Sequence, residues 1–218
     1  MPDFVKGLLT VLFSIGLSTL TLYVLGSFFP NAAAGFALTG AIFGLLYGLE
    51  AGILTIYDLD RPLGWVQLLA DMTWSLPNTI FGFVLGNLIY LIKTGSAPSR
   101  ADSRGAGWIV YQGSFGGGNV YQTLGTVNLG GAGEHERMHL LQVRIFGPLY
   151  LAIFGANYVV NFLLQSLWTI TLGALLAALK CRQSACLQPP STSAVQGFWG
   201  WIYYANVFEL WAYASGNP

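Results

Sequence analysis

The chain has 218 residues, of which 54% are hydrophobic and only 8% are charged, and its formal net charge at pH 7 is zero. Soluble domains carry about 25% charged residues, so this composition excludes a disordered protein, a nucleic-acid binder and a typical cytosolic enzyme. So few charged side chains cannot solvate a surface that meets water on all sides, and an integral membrane protein in contact with the lipid bilayer is therefore predicted.

Two long apolar runs come first in the chain. Residues 7–29 carry no charged side chain, and at about 1.5 Å per residue such a helix crosses a bilayer. The run is longer than the apolar part of a signal peptide and lacks a small-residue cleavage site, which predicts a retained helix. The second run, 32–57, has a glycine at every fourth position, and these glycines share one helix face that a neighbouring backbone can approach closely. They are Gly40, Gly44, Gly48 and Gly52.

Glu50 lies in the second run, away from the glycine face. An ionisable side chain inside a membrane span is by default a candidate for function. The alternative is a residue near the helix end whose side chain reaches the interface, and the nearby Asp58 favours that interpretation.

Residues 63–71 are predicted to form a short interfacial helix, and residues 72–92 a third span in which Pro77 is an early kink or an N-terminal break. Residues 1–94 would thus form an N-terminal three-helix transmembrane region. The loops give no firm orientation, because Lys93, Arg100 and Arg104 favour one cytoplasmic side while the other loop cations are expected opposite. Those other cations are Lys6, Arg61, Lys180 and Arg182.

Residues 95–133 are predicted to be a linker followed by a β-hairpin. Residues 108–111 and 119–129 are rich in aromatic and β-branched side chains, and a glycine-rich stretch separates them. This pattern is typical of two strands joined by a turn. A helical pattern begins at residue 134 and ends at Gly147-Pro148.

The C-terminal region, 134–218, holds the remaining apolar segments. Residues 148–179 are long for one crossing and short for two, so a tilted span and a tight helical hairpin both fit. Residues 180–194 read as an interfacial loop, in which Cys181 and Cys186 could form either a small disulfide loop or two free thiols. Residues 196–214 are predicted to form a last, aromatic-rich helix. The fold class predicted is an all-α membrane protein of four to five transmembrane helices, with a small β-hairpin before the helix at 134.

The two histidines of the chain, His135 and His139, flank Glu136 in the sequence His-Glu-Arg-Met-His. Positions i and i+4 share one face of a helix, so both imidazoles can reach one metal ion. Glu136 would then lie beside the metal and take a proton from a bound water. Because zinc lowers the pKa of such a water to about 7, hydroxide can form at neutral pH.

A catalytic zinc site needs a third protein ligand and leaves its fourth position to water. Glu209 is the one carboxylate C-terminal to Glu136, and it lies in an aromatic, apolar helix where metal ligation would explain an ionised group. Glu134 is a poorer candidate because helical geometry points it away from the metal. Asp71 is a more distant alternative.

His-Glu-Arg-Met-His and the later Asn206-Val207-Phe208-Glu209 together resemble the gluzincin metallopeptidases, including membrane-embedded CaaX-processing and heat-shock-induced proteases. The pattern His-Glu-x-x-His-x-x-Gln with the following Gly-Pro-Leu-Tyr is also similar to small uncharacterised bacterial membrane proteins. The resemblance covers about residues 119–150 and 203–213. It implies one zinc ion held by His135, His139 and Glu209, with Glu136 as the general base, in a bacterial inner membrane.

Many gluzincins have an aspartate shortly after the glutamate ligand, where it orients a histidine, but this chain has Ala212-Tyr213 there. Tyr213, Asn206 and Gln142 are the candidates to support the ligands instead. The function expected is hydrolysis of peptide bonds in membrane-associated or peptide substrates. The alternative is a non-catalytic structural or accessory subunit of a membrane protein complex that retains the metal site.

Overall fold

A computed structural model describes residues 1–95, 97–112, 122–130, 133–168, 170–171 and 198–215. The described chain is mostly helical and contains one small three-stranded sheet. The helices are α1 (Asp3–Gly26), α2 (Ala33–Leu54), α3 (Pro62–Met72), α4 (Leu76–Phe81), α5 (Asn87–Thr94), α6 (Arg100–Ser103), α7 (Glu134–Phe146), α8 (Tyr150–Trp168), α9 (Phe198–Tyr204) and α10 (Val207–Ser215). A π-helical turn, Gly82–Gly86, joins α4 to α5, and the strands are β1 (Ile109–Tyr111), β2 (Gln122–Leu124) and β3 (Val127–Leu129).

The chain divides into two compact units, Met1–Pro148 and Leu149–Pro218. The first unit contains α1 to α7 and the sheet, and the second contains α8 to α10. Cys181, Cys186, the predicted loop 180–194 and the end of the apolar run 148–179 lie outside the described residues.

Three helical stretches of the described chain are long and apolar enough to cross a membrane: α1, α2 and Glu134–Trp168. Large apolar side chains on the outer faces of α1 and α2 are exposed, with exposed fractions of 60% for Leu20, 63% for Leu38 and 67% for Ile53. A lipid environment accommodates such faces without the cost that water would impose. These helices are compatible with the predicted membrane location.

The predicted third span, 72–92, is preceded by a sharp bend. α3 matches the short helix predicted at 63–71, and the helical stretch Leu76–Ile92 is bent by 82° with respect to it, so the N-terminal break predicted at Pro77 is confirmed. The backbone N–H of Ser75 bonds to the carbonyl of Ala70 and closes α3. Pro77 lies in the first turn of α4, where its missing N–H costs no hydrogen bond. Counting the bent pair as one span raises the number of candidate spans from three to four.

The glycine face of α2 allows the close approach of a neighbouring backbone, as its spacing predicts, and that neighbour is α1. All four glycines of that face are buried. Oγ of Ser18 donates a hydrogen bond to the carbonyl of Gly40 at 2.7 Å. A Cβ placed on Gly48 would lie 2.9 Å from Cα of Val11, closer than side-chain carbons normally approach. The two backbones can therefore approach closely only because α2 carries no side chains on this face.

Glu50 is half-buried near the C-terminal end of α2, and its Oε2 accepts a hydrogen bond from Nδ2 of Asn87 at 2.6 Å. The carboxylate is thus bound by the first residue of α5. This contact is one that neither sequence interpretation of Glu50 included.

The segment predicted as a linker folds back onto the N-terminal end of α1. Arg104 and Arg100 contact Asp3 at 2.8 and 3.4 Å. Lys6 in turn pairs with two acidic residues of the α2–α3 loop, Asp58 and Asp60. Arg100 and Arg104 therefore lie at the same end of the first unit as Lys6, and the prediction that they lie on opposite sides is wrong. The fold-back is fixed by backbone bonds from Gly105 and Gly107 to Thr55 and Ile56.

The strand order of the sheet is β1-β3-β2. β2 and β3 form an antiparallel hairpin directly before α7, and β1 pairs with β3 in parallel. The expectation that 108–111 and 119–129 form the two arms of one hairpin is therefore wrong. Gly125, with a φ of 54°, begins the tight turn inside 119–129 and divides that segment into two strands.

The predicted last helix, 196–214, is two helices in the second unit. The break falls at Asn206, whose Oδ1 accepts the N–H of Phe208 and so caps the start of α10. Oδ1 of Asn157 accepts the N–H of Val207, and Nδ2 of Asn161 donates to the carbonyl of Ile202. The asparagines of the apolar run thus give hydrogen-bond partners to the backbone at the start of α10 and within α9.

Candidate metal centre

The helix α7 carries the predicted metal motif on its buried face. His135, Glu136 and His139 are only 5%, 5% and 7% exposed, and Gln142 is fully buried. Glu134 and Arg137, by contrast, are exposed. This distribution follows from the 3.6-residue helical repeat, which places i, i+4 and i+7 on one face. Glu134 therefore points away from the histidines, as helical geometry predicts.

A buried ion pair anchors α7 to α3. The guanidinium of Arg144 donates to both carboxylate oxygens of Asp71, from Nε at 2.9 Å and from Nη2 at 2.7 Å. The hydroxyl of Tyr57 donates to the same carboxylate at 2.8 Å, and Arg144 also donates to the carbonyl of Gly107. The carboxylate of Asp71 is thus engaged by Arg144 and Tyr57, and the alternative assignment of Asp71 as a third ligand is wrong.

The C-terminal end of α7 is held by the corner between α3 and α4. The last carbonyls of a helix have no partner within the helix, and side chains from this corner provide one. The donors are Trp74 to the carbonyl of Ile145, Ser75 to that of Val143 and Asn78 to that of Gly147. The bend at the start of the predicted third span therefore also positions the motif helix.

His139 is oriented by a neighbour on its own helix. Its Nδ1 lies 3.0 Å from Oε1 of Gln142. An amide oxygen can only accept a hydrogen bond, so Nδ1 carries the ring proton and Nε2 carries the lone pair that a metal ion requires. The helical repeat predicts that Gln142 lies on this face, and the 3.0 Å distance shows that it contacts the ring of His139.

The two imidazoles converge through their Nε2 atoms, which lie 3.2 Å apart. Two nitrogens that bind the same tetrahedral zinc at about 2.0–2.1 Å lie about 3.4 Å from each other. The separation of His135 and His139 therefore suits a single tetrahedral ion. The rings are nearly perpendicular, at an interplanar angle of 84°, as expected of two ligands that approach one point from different directions.

His135 and His139 in the first unit and Glu209 in the second are buried residues whose side chains are potential metal ligands. Two imidazole nitrogens and one carboxylate oxygen are a donor set that divalent transition metals accept. The two histidines share the buried face of α7, as their spacing predicts, and Glu209 stays the predicted third ligand.

The carboxylate of Glu136 is bound by the sheet. Oγ1 of Thr123, on β2, donates to Oε2 of Glu136 at 2.6 Å. Nδ2 of Asn128, on β3, donates to Oγ1 of Thr123 at 3.1 Å. Sequence reasoning missed both residues. The available signal was Asn128, a polar residue between the apolar Val127 and Leu129 of a buried strand.

Glu209 lies in the first turn of α10 and is 3% exposed. Its carboxylate is close enough to the hydroxyls of Tyr158 and Tyr203 to interact electrostatically with both. Asn206 serves as the helix cap described above, and the ring of Tyr213 lies 5.2 Å from that of Tyr204. The roles predicted for Asn206 and Tyr213 as supports of the ligands stay predictions.

The chain matches no known protein-family profile, no curated protein and no solved structure. The gluzincin resemblance therefore rests on the residues of the motif alone.

Proposed function

We propose that the protein is a zinc-dependent, membrane-embedded metallopeptidase that hydrolyses peptide bonds of membrane-associated substrates. The observation that carries the proposal is the 3.2 Å separation of the Nε2 atoms of His135 and His139, with Glu136 adjacent to His135 in the sequence. Glu209 is the buried carboxylate that we expect to complete the ligand set. Two imidazoles and one carboxylate are a usual ligand set of catalytic zinc, and they leave the fourth position open to water or substrate.

The proposed chemistry assigns distinct tasks to the residues of α7 and α10. His135, His139 and Glu209 would hold the ion, and Gln142 would keep Nε2 of His139 directed at it. When bound, zinc supplies a Lewis acid that polarises the scissile carbonyl and lowers the pKa of water. Glu136 would remove a proton from the attacking water, whose oxygen bonds to the carbonyl carbon. As the C–N bond breaks, Glu136 would return that proton to the leaving amine.

The proposal includes a bilayer location with four to five spans. The bent pair of α3 and Leu76–Ile92 would be the fourth, beside the three other candidates. A bacterial inner membrane is the compartment that the resemblance implies.

Metal content of the detergent-purified protein tests the site. We expect about one zinc per chain in the wild type and loss of the metal in His139→Ala and Glu209→Gln. Glu134→Gln is the matched control, because Glu134 is the exposed neighbour of His135 and its replacement should leave the metal content unchanged. No metal in the wild type after zinc is supplied would refute the proposal and leave the alternative of a non-catalytic membrane subunit.

Peptide cleavage tests the reaction. The zinc-loaded wild type should hydrolyse peptide substrates in detergent or liposomes, and Glu136→Gln should retain zinc but lose activity by at least about 100-fold, as expected of a general base. A zinc-loaded wild type without activity on a broad peptide library would instead favour the structural or accessory subunit.

A further inference from the structure

The hairpin β2–β3 lies directly before the motif helix and places Thr123 opposite Asn128. Side chains of directly opposed residues lie on the same face of an antiparallel pair. The hairpin face that carries Thr123 and Asn128 contacts α7, because the hydroxyl of Thr123 donates to the carboxylate of Glu136. The hairpin therefore presents two polar side chains to the general base of the proposed reaction.

The direction of each hydrogen bond in this chain follows from the chemistry of its ends. Nδ2 of Asn128 lies 3.3 Å from the backbone carbonyl of Gln122, which can only accept, so the amide group of Asn128 points its NH2 toward the strand and toward Thr123. The hydroxyl of Thr123 accepts from that NH2 and has a single proton left to donate. Oε2 of Glu136, 2.6 Å away, receives it.

These bonds hold one end of a buried carboxylate. Asn128 is fully buried and Glu136 is 5% exposed, so few water molecules can compete for the bonds. A hydrogen bond to an ionised acceptor is stronger and shorter than one between neutral groups. With Oε2 bound to the strand, the rotation of the carboxylate is restricted and Oε1 is the oxygen left to exchange a proton.

We infer that Thr123, itself oriented by Asn128, is a positioning residue that fixes the carboxylate of Glu136 for proton transfer through Oε1. The inference rests on the proposed function, since it assigns a task to the general base. It goes beyond that function because it assigns the hairpin β2–β3 the role of orienting the general base. A general base is effective only when held within hydrogen-bond reach of the proton it takes, and small misplacements cost about 100-fold in rate.

A thermal double-mutant cycle tests the contact without metal or substrate. Thr123→Val removes the hydroxyl while keeping the shape of the side chain, and Glu136→Ala removes the acceptor. We expect Thr123→Val to lower Tm by about 5 °C in the wild-type background but by only about 1 °C in the Glu136→Ala background. Additive shifts in Tm would overturn the inference.

Kinetics then test the positioning role. Thr123→Val should lower kcat about 10-fold to 100-fold with KM and zinc content unchanged, and Thr123→Ser should restore most of the activity because it restores the donor. Equal loss of activity in the serine and valine variants, or loss of zinc in both, would mean that the side chain is merely structural. Suppose that the Tm shifts of Thr123→Val and Glu136→Ala are non-additive but the zinc-loaded protein cleaves no peptide. That result would support the contact of Thr123 with Glu136 and refute the peptidase function. Failure of the inference and failure of the proposed function are therefore distinguishable.

Discussion

Oε1 of Gln142 and Nδ1 of His139 are 3.0 Å apart on the buried face of α7. The bond joins two residues three positions apart on one helix, so it persists wherever α7 is formed. It leaves the lone pair of His139 on Nε2, directed at Nε2 of His135. Gln142 therefore keeps the lone pair of His139 on the nitrogen that the proposed metal ion would use.

Removing this hydrogen bond should weaken metal binding. Neighbours that orient a ligand histidine typically contribute about 10-fold to 100-fold in metal affinity. We expect Gln142→Leu to raise the Kd for zinc by that factor, as measured by competition with a fluorescent chelator. Gln142→Glu retains an acceptor oxygen and should bind zinc nearly as tightly as the wild type. Equal affinity in the leucine variant would show that the bond does not support the ligand.

The buried pair of Asp71 and Arg144 should be costly to break. The side chain of Asp71 is fully buried and that of Arg144 is 10% exposed, so removing one partner leaves a buried charge alone. We expect Arg144→Met to destabilise the protein by about 3–5 kcal/mol, read as a lower Tm in detergent.

The double variant Asp71→Leu with Arg144→Met should recover much of that loss, since no unpaired charge remains. The exposed pair of Arg104 and Asp3 is the control, because surface ion pairs contribute about 0–1 kcal/mol. An Arg144→Met protein as stable as the Arg104→Met control would contradict the anchoring role.

The glycine face of α2 should not tolerate side chains. A Cβ on Gly44 would overlap Oγ of Ser18 and the backbone of α1. We expect Gly44→Ala to cost about 1–3 kcal/mol through this overlap, measured as a fall in Tm. Gly16 is the matched control, because a Cβ there meets nothing within 4 Å, and Gly16→Ala should be neutral or stabilising by up to about 1 kcal/mol. Similar Tm values for the two variants would argue against the close approach of α1 and α2.

Stability should fall in alkaline solution partly because of Tyr111. Burial, and secondarily the Glu50 carboxylate, raise the pKa of Tyr111 to about 12. Tyrosine in an unfolded chain titrates near pH 10, so between about pH 10 and 12 the unfolded state loses a proton that the folded state retains. The contribution of protonated Tyr111 to the free energy of unfolding is fully present below pH 10 and is lost as the pH rises toward 12. Tyr111→Phe should show a shallower decline of Tm across this window, and an identical pH profile would contradict the assignment.

Local periodicity let the sequence determine much of the fold. The four-residue glycine repeat predicts the face of α2 that packs on α1, and the i, i+4 spacing of His135 and His139 predicts their convergence. Both follow from the geometry of a single helix, which a run of side chains specifies by itself. The stop of α7 at Gly147 follows in the same way, since its φ of 53° suits glycine.

Contacts between segments distant in the sequence could be identified only from the tertiary structure. The 82° bend after α3, the parallel pairing of β1 with β3 and the ion pair of Asp71 with Arg144 each join residues that no local pattern relates. The same holds for Thr123 and Glu136, which lie 13 positions apart on a strand and a helix.

The sequence alone therefore determined the candidate ligands, their spacing on α7 and the apolar character of the long helices, because these depend on composition and helical repeat. It also selected Glu209, since so few carboxylates remain in an apolar chain. Only the tertiary structure decided which polar groups hold α7, which face of the hairpin meets Glu136 and that Asp71 is bound to Arg144. Such pairings depend on which of many distant partners lies within about 3 Å, and a linear pattern carries no information on that distance.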